Sequence, residues 1–453
     1  MEESQKQPRR KKNRRQAAQQ RRTHNVLLAG AFLVVVLLFF LINLVTKDRE
    51  FSETENRNLS QKPSFSLSAL VDGSYFSGLT DWYNDQFFAR DGWISLKLWE
   101  DSRLGRKESG GVYLCENGYL IANPETPNQE VVAKTVDAVN QFAAEHTDIS
   151  MRMMLVPGAS AILSEYLPKN APVRDQLQDI ADVQKQLDGK IQFLDAASPL
   201  SAHASEYIYY QTDHHWTSLG AYYAFTANTG TMGIGSPVKD YDIYTVATDF
   251  EGTLASKSGS HAVTDDVQIY VPKDTGISYY VTYSDSQERI CSIYNSSALE
   301  TKDKYTVFFG GNYPTVEIHT TANNGRSLLL FKDSYANSFV QFLVPYYEKI
   351  IMVDPRYYYD SLDAILNSYG ITDVLFLYSA DTFLTDGSLA DVLTAEAATG
   401  NVSDSMEEFP VQQEPTQESD ASGQESDSST QEETSAESAS PESSAIDTSS
   451  EES

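Results

Sequence analysis

The residues best suited to chemistry lie in one short run, Thr212-Asp213-His214-His215-Trp216. The chain has only seven histidines, so two in succession beside a carboxylate mark this segment. In extended backbone, residues two apart point to the same side, so Asp213 and His215 can face one site with the carboxylate orienting the imidazole. That is two thirds of a Ser-His-Asp device, and the nucleophile must come from elsewhere. Ser334 is the candidate. Residues 327–331 read as a short buried strand, Lys332-Asp333 break the apolar run, and Phe339, Phe342 and Leu343 then follow at helical spacing. Ser334 therefore stands at a strand-to-helix turn. Such a turn exposes a side chain at the carboxyl edge of a sheet and offers free backbone N–H groups to an oxyanion. The competing reading is that Ser334 merely caps the helix, a common use of serine. If the three act together, Ser334 Oγ is expected within about 4 Å of one His215 ring nitrogen, with Asp213 on the other.

Together these segments resemble the DHHW family, which is similar to the alginate O-acetylation proteins and stands with the SGNH-hydrolase-like acetyltransferases. The resemblance runs over roughly residues 50–390, with TDHHWT its most specific part. It is also carried by FSETENRNLSQKPSFS (51–66), LVDGSYFSGLTDWYNDQFFARDGWISLK (70–97), EGTLASKSG (251–259), FKDSYANSF (331–339) and MVDPRYY (352–358). It implies a catalytic Asp-x-His that precedes the serine, the order found here in Asp213, His215 and Ser334. It further implies an Asn amide in the oxyanion hole after a late strand. That slot, within VLFLYSADTF (374–383), reads Ser379-Ala380-Asp381. Ser379, or Asn337 three residues after the nucleophile, would have to donate instead. Losing one such donor slows acyl transfer by roughly a hundredfold or more.

The implied activity is an O-acyltransferase or esterase of cell-surface polysaccharide, working without a cofactor. Acyl-CoA is absent outside the cell, so a membrane-bound O-acyltransferase that exports acyl groups is the implied donor partner. The alternative, favoured by the Asn-less slot, is a catalytically inactive glycan-binding or scaffold protein of the cell envelope. Tyr is abundant, at 27 residues, and YIYY (207–210) and RYYYD (356–360) flank the proposed site. Tyr210 could stack on a sugar ring and Trp216 could wall the site, or both could belong to ordinary packing. Arg356 could hold an anionic acceptor in a bidentate contact, or pair structurally with Asp354. No metal site is expected. The chain has no paired-Cys spacing, and the adjacent His214 and His215 are not spaced for one ion. A carboxylate-histidine site at Asp213 and His215 is the lesser reading.

The elements that must position these residues read as an α/β domain. Helix signals at 131–146, 173–187, 217–225 and 362–368 alternate with short buried strand signals at 151–156, 191–194, 328–331, 350–353 and 374–377. This pattern argues for an SGNH-hydrolase-like parallel sheet flanked by helices, whose site lies at the carboxyl ends of the strands. Residues 238–320, rich in Thr, Tyr, Val and Ser, read as a β-rich insertion. The expected organisation is a basic cytoplasmic segment (1–25), a transmembrane anchor (26–46), a stalk with entry helices (47–110), the SGNH-like domain (111–400) and a disordered tail (401–453).

Residues 26–45 form an apolar run whose only polar member is Asn43, long enough for a hydrocarbon core of about 30 Å. Nine Lys or Arg precede it, so the N-terminus is expected in the cytoplasm and the body outside, on a single uncleaved span. The net charge is −30. Fifteen acids and no base lie in 401–453, a composition that buries no core. The body is acidic as well, which excludes nucleic acid as a partner. Cys115 and Cys291 could pair, but spacing does not decide it.

Overall fold

The strand signals all fall into one sheet, but its neighbours were only half legible. The computed structural model describes residues 7–52, 54 and 57–394, so the tail expected at 401–453 lies outside the described residues. Helix α1 (Gln7–Val45) carries the apolar run and continues back through the basic head. It is long and apolar enough to cross a membrane. The segment after it holds a short antiparallel pair, Phe51–Ser52 with Arg57–Asn58. Three helices follow where aromatic anchors at helical spacing begin: α2 (Leu67–Asp72), α3 (Ser74–Asp85) and α4 (Arg90–Arg103).

The sheet has eight strands: β1 (Ser150–Val156), β2 (Ile191–Phe193), β3 (Tyr279–Tyr283), β4 (Arg289–Ile290), β5 (Thr315–Thr320), β6 (Ser327–Lys332), β7 (Lys349–Val353) and β8 (Asp373–Ser379). Their spatial order is β4-β3-β5-β7-β6-β8-β1-β2. The five strands from β7 to β2 run parallel. The other three add antiparallel beyond β7. Every residue of β6 and β8 is buried, as central parallel strands covered on both faces must be. Alternate side chains feed two cores. Leu328 and Leu330 point into one, with Trp216 and Phe225, while Leu329 and Phe331 point into the other, with Val139 and Phe142.

Helices α5 (Gln129–Glu145) and α6 (Gln176–Gln186) cover the second face. The first face is covered by α7 (Ser218–Asn228), and α8 (Leu362–Tyr369) joins the second. Register sets the strand ends level: Phe331 lies opposite both Val353 and Phe376, and Ser379 lies opposite Val156. The loops that leave β1, β6, β7 and β8 therefore open along one edge.

Residues 238–320 do not form a separate β unit throughout. Tyr241–Phe250 and Asp265–Pro272 make a two-stranded antiparallel ribbon, but β3, β4 and β5 extend the main sheet. A parallel sheet leaves β7 as an open edge, and Val/Thr/Tyr-rich strands can pair there with one face exposed. The helix after Ser334 is also shorter than its apolar spacing suggests. It spans Tyr335–Phe339 and tightens into 3-10 turns at Val340–Phe342 and Val344–Tyr346. Pro345 removes a backbone donor and disfavours helical backbone just before it. Cys115 and Cys291 are not paired.

Candidate active site

The Asp213–His215 segment is a tight loop clamped from outside. Tyr209 and Trp216 form an isolated antiparallel bridge. The Tyr210 N–H donates to the His215 carbonyl (3.2 Å) and the Thr217 N–H to that of Ile208 (2.9 Å). At the start of the second ribbon strand, the buried Asp265 carboxylate accepts the N–H groups of Gln211 and Thr212, both at 2.7 Å. It also accepts the hydroxyls of Thr212 (2.5 Å) and Tyr207. Burial pushes the Asp265 carboxyl up, and these four donors oppose that shift.

Asp213 and His215 meet through this bend and not across an extended pleat. One Asp213 oxygen faces both the His215 N–H (3.0 Å) and His215 Nδ1 (2.5 Å). This is the local turn an Asp side chain makes with the amide two residues on. The other oxygen accepts the N–H (2.8 Å) and hydroxyl (2.9 Å) of Thr253. Gly252 leaves room for it: a Cβ there would lie 2.2 Å from that of Asp213. Burial alone would raise the Asp213 carboxyl. The neighbouring His214 and His215 rings, with the bonds from His215 and Thr253, outweigh burial and hold it far below the usual carboxylate range. Burial, reinforced by His214, pushes His215 down to about 4 against the pull of Asp213. The imidazole is thus neutral at pH 7, the state a general base needs.

Ser334 begins the turn after β6 with helical backbone (φ −63°, ψ −20°), and its hydroxyl makes no cap bond. The Asp333 carboxylate does that work, accepting the Tyr335 N–H at 3.0 Å and, with its other oxygen, the Ser379 N–H at 2.9 Å. Ser334 Oγ lies 2.8 Å from His215 Nε2. The Tyr305 ring stacks on His215 with centroids 3.9 Å apart and planes 13° apart, and its hydroxyl donates to the Ser334 carbonyl at 2.9 Å. The Ser334 N–H has no acceptor among the described residues. A neutral imidazole between a carboxylate and a serine hydroxyl can take the hydroxyl proton as the oxygen attacks a carbonyl carbon.

A cavity of about 150 Å³ opens at Ser334, lined among others by Gly158, Ser160, Arg356, Ser379 and Asp381. These residues follow the carboxyl ends of β1, β7 and β8. Burial pushes the Asp381 carboxyl up to about 6, opposed by its bond from Gln176 Nε2 at 2.8 Å. Ser160 and Asp381 are not singled out by sequence spacing. The one local signal for Ser160 is the small-residue run Gly158-Ala159-Ser160 leaving a buried strand. Thr253 lies in the EGTLASKSG segment, but Tyr305 and Asp265 have no signal, because they arrive from distant parts of the chain.

Several expected contacts do not form. Trp216 is fully buried, stacked on Phe339, and its indole N–H donates to the Tyr335 carbonyl at 2.9 Å. Tyr210 is likewise fully buried, edge-on to Phe250 and Tyr305. Neither can touch a sugar, because both fill the core beneath the site. Asn337 faces away from the cavity: its Oδ1 accepts from Lys332 Nζ (2.9 Å) and its Nδ2 donates to Asn312 (3.1 Å). It is therefore no oxyanion donor. Ser379 does line the cavity, but its N–H is taken by Asp333 and its hydroxyl by the Thr382 N–H (3.2 Å) and hydroxyl (2.9 Å). Arg356 lines the cavity while two of its nitrogens grip Asp354, at 2.9 and 2.7 Å. Ligand atoms of Asp213, His214 and His215 lie within 4.8 Å of one another. His214 Nδ1 is bonded to the Thr253 hydroxyl (2.8 Å), and Asp213 and His215 are engaged as above, so an ion would have to displace Thr253 or Ser334.

The profile described as DHHW protein matches residues 55–151 and 128–353, a span that holds Asp213, His215 and Ser334 but not Ser379. Comparison with curated proteins returns no match. Among solved structures, the chain is similar to a DHHW family protein from Eubacterium siraeum DSM 15702, at 27% identity and a TM-score of 0.55 over 64% of this chain and 96% of that one. It is also similar to Bacillus cereus PatB1 carrying a sulfonyl adduct, at 22% identity and a TM-score of 0.51 over 61% and 97%. The O-acetyltransferase domain of Pseudomonas putida AlgJ aligns at 14% identity and a TM-score of 0.39 over 63% and 99%.

Proposed function

Because the chain belongs to the DHHW protein family, we propose that it is a membrane-anchored, extracytoplasmic O-acyltransferase or esterase acting on cell-surface polysaccharide. The observation that carries this reading is the 2.8 Å approach of His215 Nε2 to Ser334 Oγ at the carboxyl edge of the sheet. In the proposed cycle Ser334 Oγ attacks the acyl carbonyl while His215 Nε2 takes its proton. Asp213 holds the imidazolium that forms, and the Ser334 N–H with the Ser160 hydroxyl stabilises the oxyanion. Collapse of the tetrahedral intermediate returns the proton to the leaving group and leaves an acyl-serine. A sugar hydroxyl, or water, then attacks that ester as His215 takes its proton, and collapse of the second intermediate expels Ser334 Oγ, to which His215 returns the proton. The apolar half of α1 and the nine basic residues before it support an uncleaved anchor with the body outside. A membrane-bound O-acyltransferase would supply the acyl group from the cytoplasmic side.

A second reading, a non-catalytic glycan-binding or scaffold protein, is favoured by one observation. Both side chains expected to donate to the oxyanion, those of Asn337 and Ser379, are engaged elsewhere. Treatment with a sulfonyl fluoride, followed by peptide mass mapping and an acetyl-ester assay, separates the two. The enzyme reading expects a sulfonyl group on Ser334, none in Ser334→Ala, and a loss of turnover approaching a factor of about a million in that variant. No label and no turnover in the wild type would overturn the enzyme reading and leave the binding reading as the better one. Acyl groups appearing on added oligosaccharide or in water distinguish transferase from esterase.

A further inference from the structure

The three helices that follow the apolar span bury no apolar side chain fully. In α3 and α4 the only buried residues are carboxylates, Asp85 and Asp101, and α2 buries none. Asp85 accepts from both Arg57 terminal nitrogens, at 2.9 and 2.6 Å, and from the Ser60 N–H at 2.8 Å. Asp101 lies 2.8 Å from Lys97 and 3.0 Å from Arg106. Leu79, Ile94 and Leu98 are half-buried, but many large apolar side chains face outward: Val71 is 85% exposed, Leu67 76%, Phe76 58% and Trp99 56%, and Trp93 and Leu96 are exposed as well. Monomeric soluble proteins rarely expose a patch of this kind without a function.

What covers the patch follows from where it is tied to α1. Phe39, Ile42 and Asn43, at i, i+3 and i+4, are half-buried on one face of the span. The Phe39 ring lies 6.2 Å from Phe87, stacked, and 5.8 Å from Trp93. Asn43, the run's only polar residue, accepts the Phe88 N–H at 2.7 Å. Below the chain's exit from the run, Gln86 accepts the Arg49 N–H at 2.8 Å and the Trp82 indole donates to Asp48 at 2.8 Å. Phe39 lies six residues before the end of the apolar run at Val45, about 9 Å along the axis at 1.5 Å per residue. If the span sits in a bilayer, Phe87 and Trp93 lie at that depth. Helices that rest in a membrane interface bury their apolar face by about 5–10 Å.

We propose that α2, α3 and α4 form a collar whose outward apolar face lies among the acyl chains of the leaflet from which the span emerges. This rests on the reading of α1 as a membrane anchor. The collar's Trp residues sit at the boundary, as interfacial Trp does, and the Arg103 guanidinium lies 5.1 Å from the Trp99 ring centroid, its charge free to reach headgroups. A protein covering the same face is the competing occupant.

The full chain, reconstituted in phosphatidylcholine vesicles with or without bromine on the acyl chains, decides between them. Bromine quenches tryptophan on contact, and Trp216 is a buried internal control. The collar reading expects brominated lipid to remove about half or more of the emission from Trp93 and Trp99, at the interfacial depth above. Trp93→Phe/Trp99→Phe should abolish most of that quenching. Alkaline carbonate extraction of the same vesicles reports the anchor separately. A chain that resists extraction but is not quenched overturns the collar and assigns the face to a protein partner, while leaving the anchor intact. A chain released by carbonate overturns the anchor and the collar with it.

Discussion

Two groups at the cavity titrate in different ranges, and the pH profile should resolve them. His215 is pushed down from 6.5 to about 4 by burial, so its basic form persists well into acid. For acyl-ester turnover, kcat/KM should therefore fall with a midpoint near 4, not near the ordinary histidine value of 6.5. Asp381 faces the same cavity and is pushed up to about 6. Any inflection near 6 in the wild type should vanish in Asp381→Asn, while the one near 4 remains. A single midpoint at 6.5 would show that His215 is not buried as described. The same shift costs stability in a defined window. The unfolded imidazole gains its proton near 6.5 and the folded one only near 4, so the contribution is lost as pH falls through that interval. At this scale Asp213, His215 and Ser334 could be nominated because each sits in a short local motif. Tyr305, which stacks on the imidazole, and Asp265, which clamps the loop, lie 90 and 50 residues beyond the motif with nothing in their own neighbourhoods to mark them. Trp216 and Tyr210 drew attention by type alone, and the core claimed both.

At the scale of elements, the loop Glu251-Gly252-Thr253 matters as much as the histidine motif itself. Its glycine does not need positive φ (its φ is −82°) but close approach, since a Cβ would meet Asp213 at 2.2 Å. Gly252→Ala should push the Asp213 carboxylate off His215 and lower kcat by about two orders of magnitude, the usual cost of an ångström-scale misplacement. Steady-state kinetics and a melting curve check this. A kcat within a few-fold of wild type, with the variant folded, would mean the loop yields without disturbing the site. The parallel strands were legible because buried β6 and β8 read as short apolar runs bounded by breakers. The antiparallel extension by β3, β4 and β5 was not, because composition marks a strand but carries no record of which edge it joins. The helix after Ser334 was overextended for a local reason, the proline at 345, which the apolar spacing masked.

At the scale of the whole molecule the sheet separates chemistry from support. Opposite the cavity, at the amino end of β8, Asp373 binds Arg152 and Arg326, each at 2.8 Å. Burial opposes ionisation of Asp373, and the bonds from Arg326, Thr372 and Arg152 hold its carboxyl below the usual range even so. Removing it strands a buried guanidinium. Asp373→Ala should cost about 3–5 kcal/mol, the typical penalty for breaking a buried pair, while the folded fraction keeps its kcat. Urea unfolding with activity measured on the same samples tests both halves. A large drop in kcat at unchanged stability would mean the two edges are coupled. The apolar N-terminal helix and the α/β fold were visible from hydropathy and strand-helix alternation. The outward apolar face of α3 and α4 was not, since a sequence shows which residues are apolar but not which of them a neighbour covers.

The imidazole at the centre of the site is held on one edge by Asp213 and on one face by the Tyr305 ring. A ring pinned in this way cannot turn over, so on the proposed mechanism the same nitrogen serves both half-reactions. A cavity of about 150 Å³ opens in front of it. On the proposed Ser-His-Asp reading, turnover is a ping-pong cycle: the first product leaves before the second substrate attacks, and the protein waits between them as an ester.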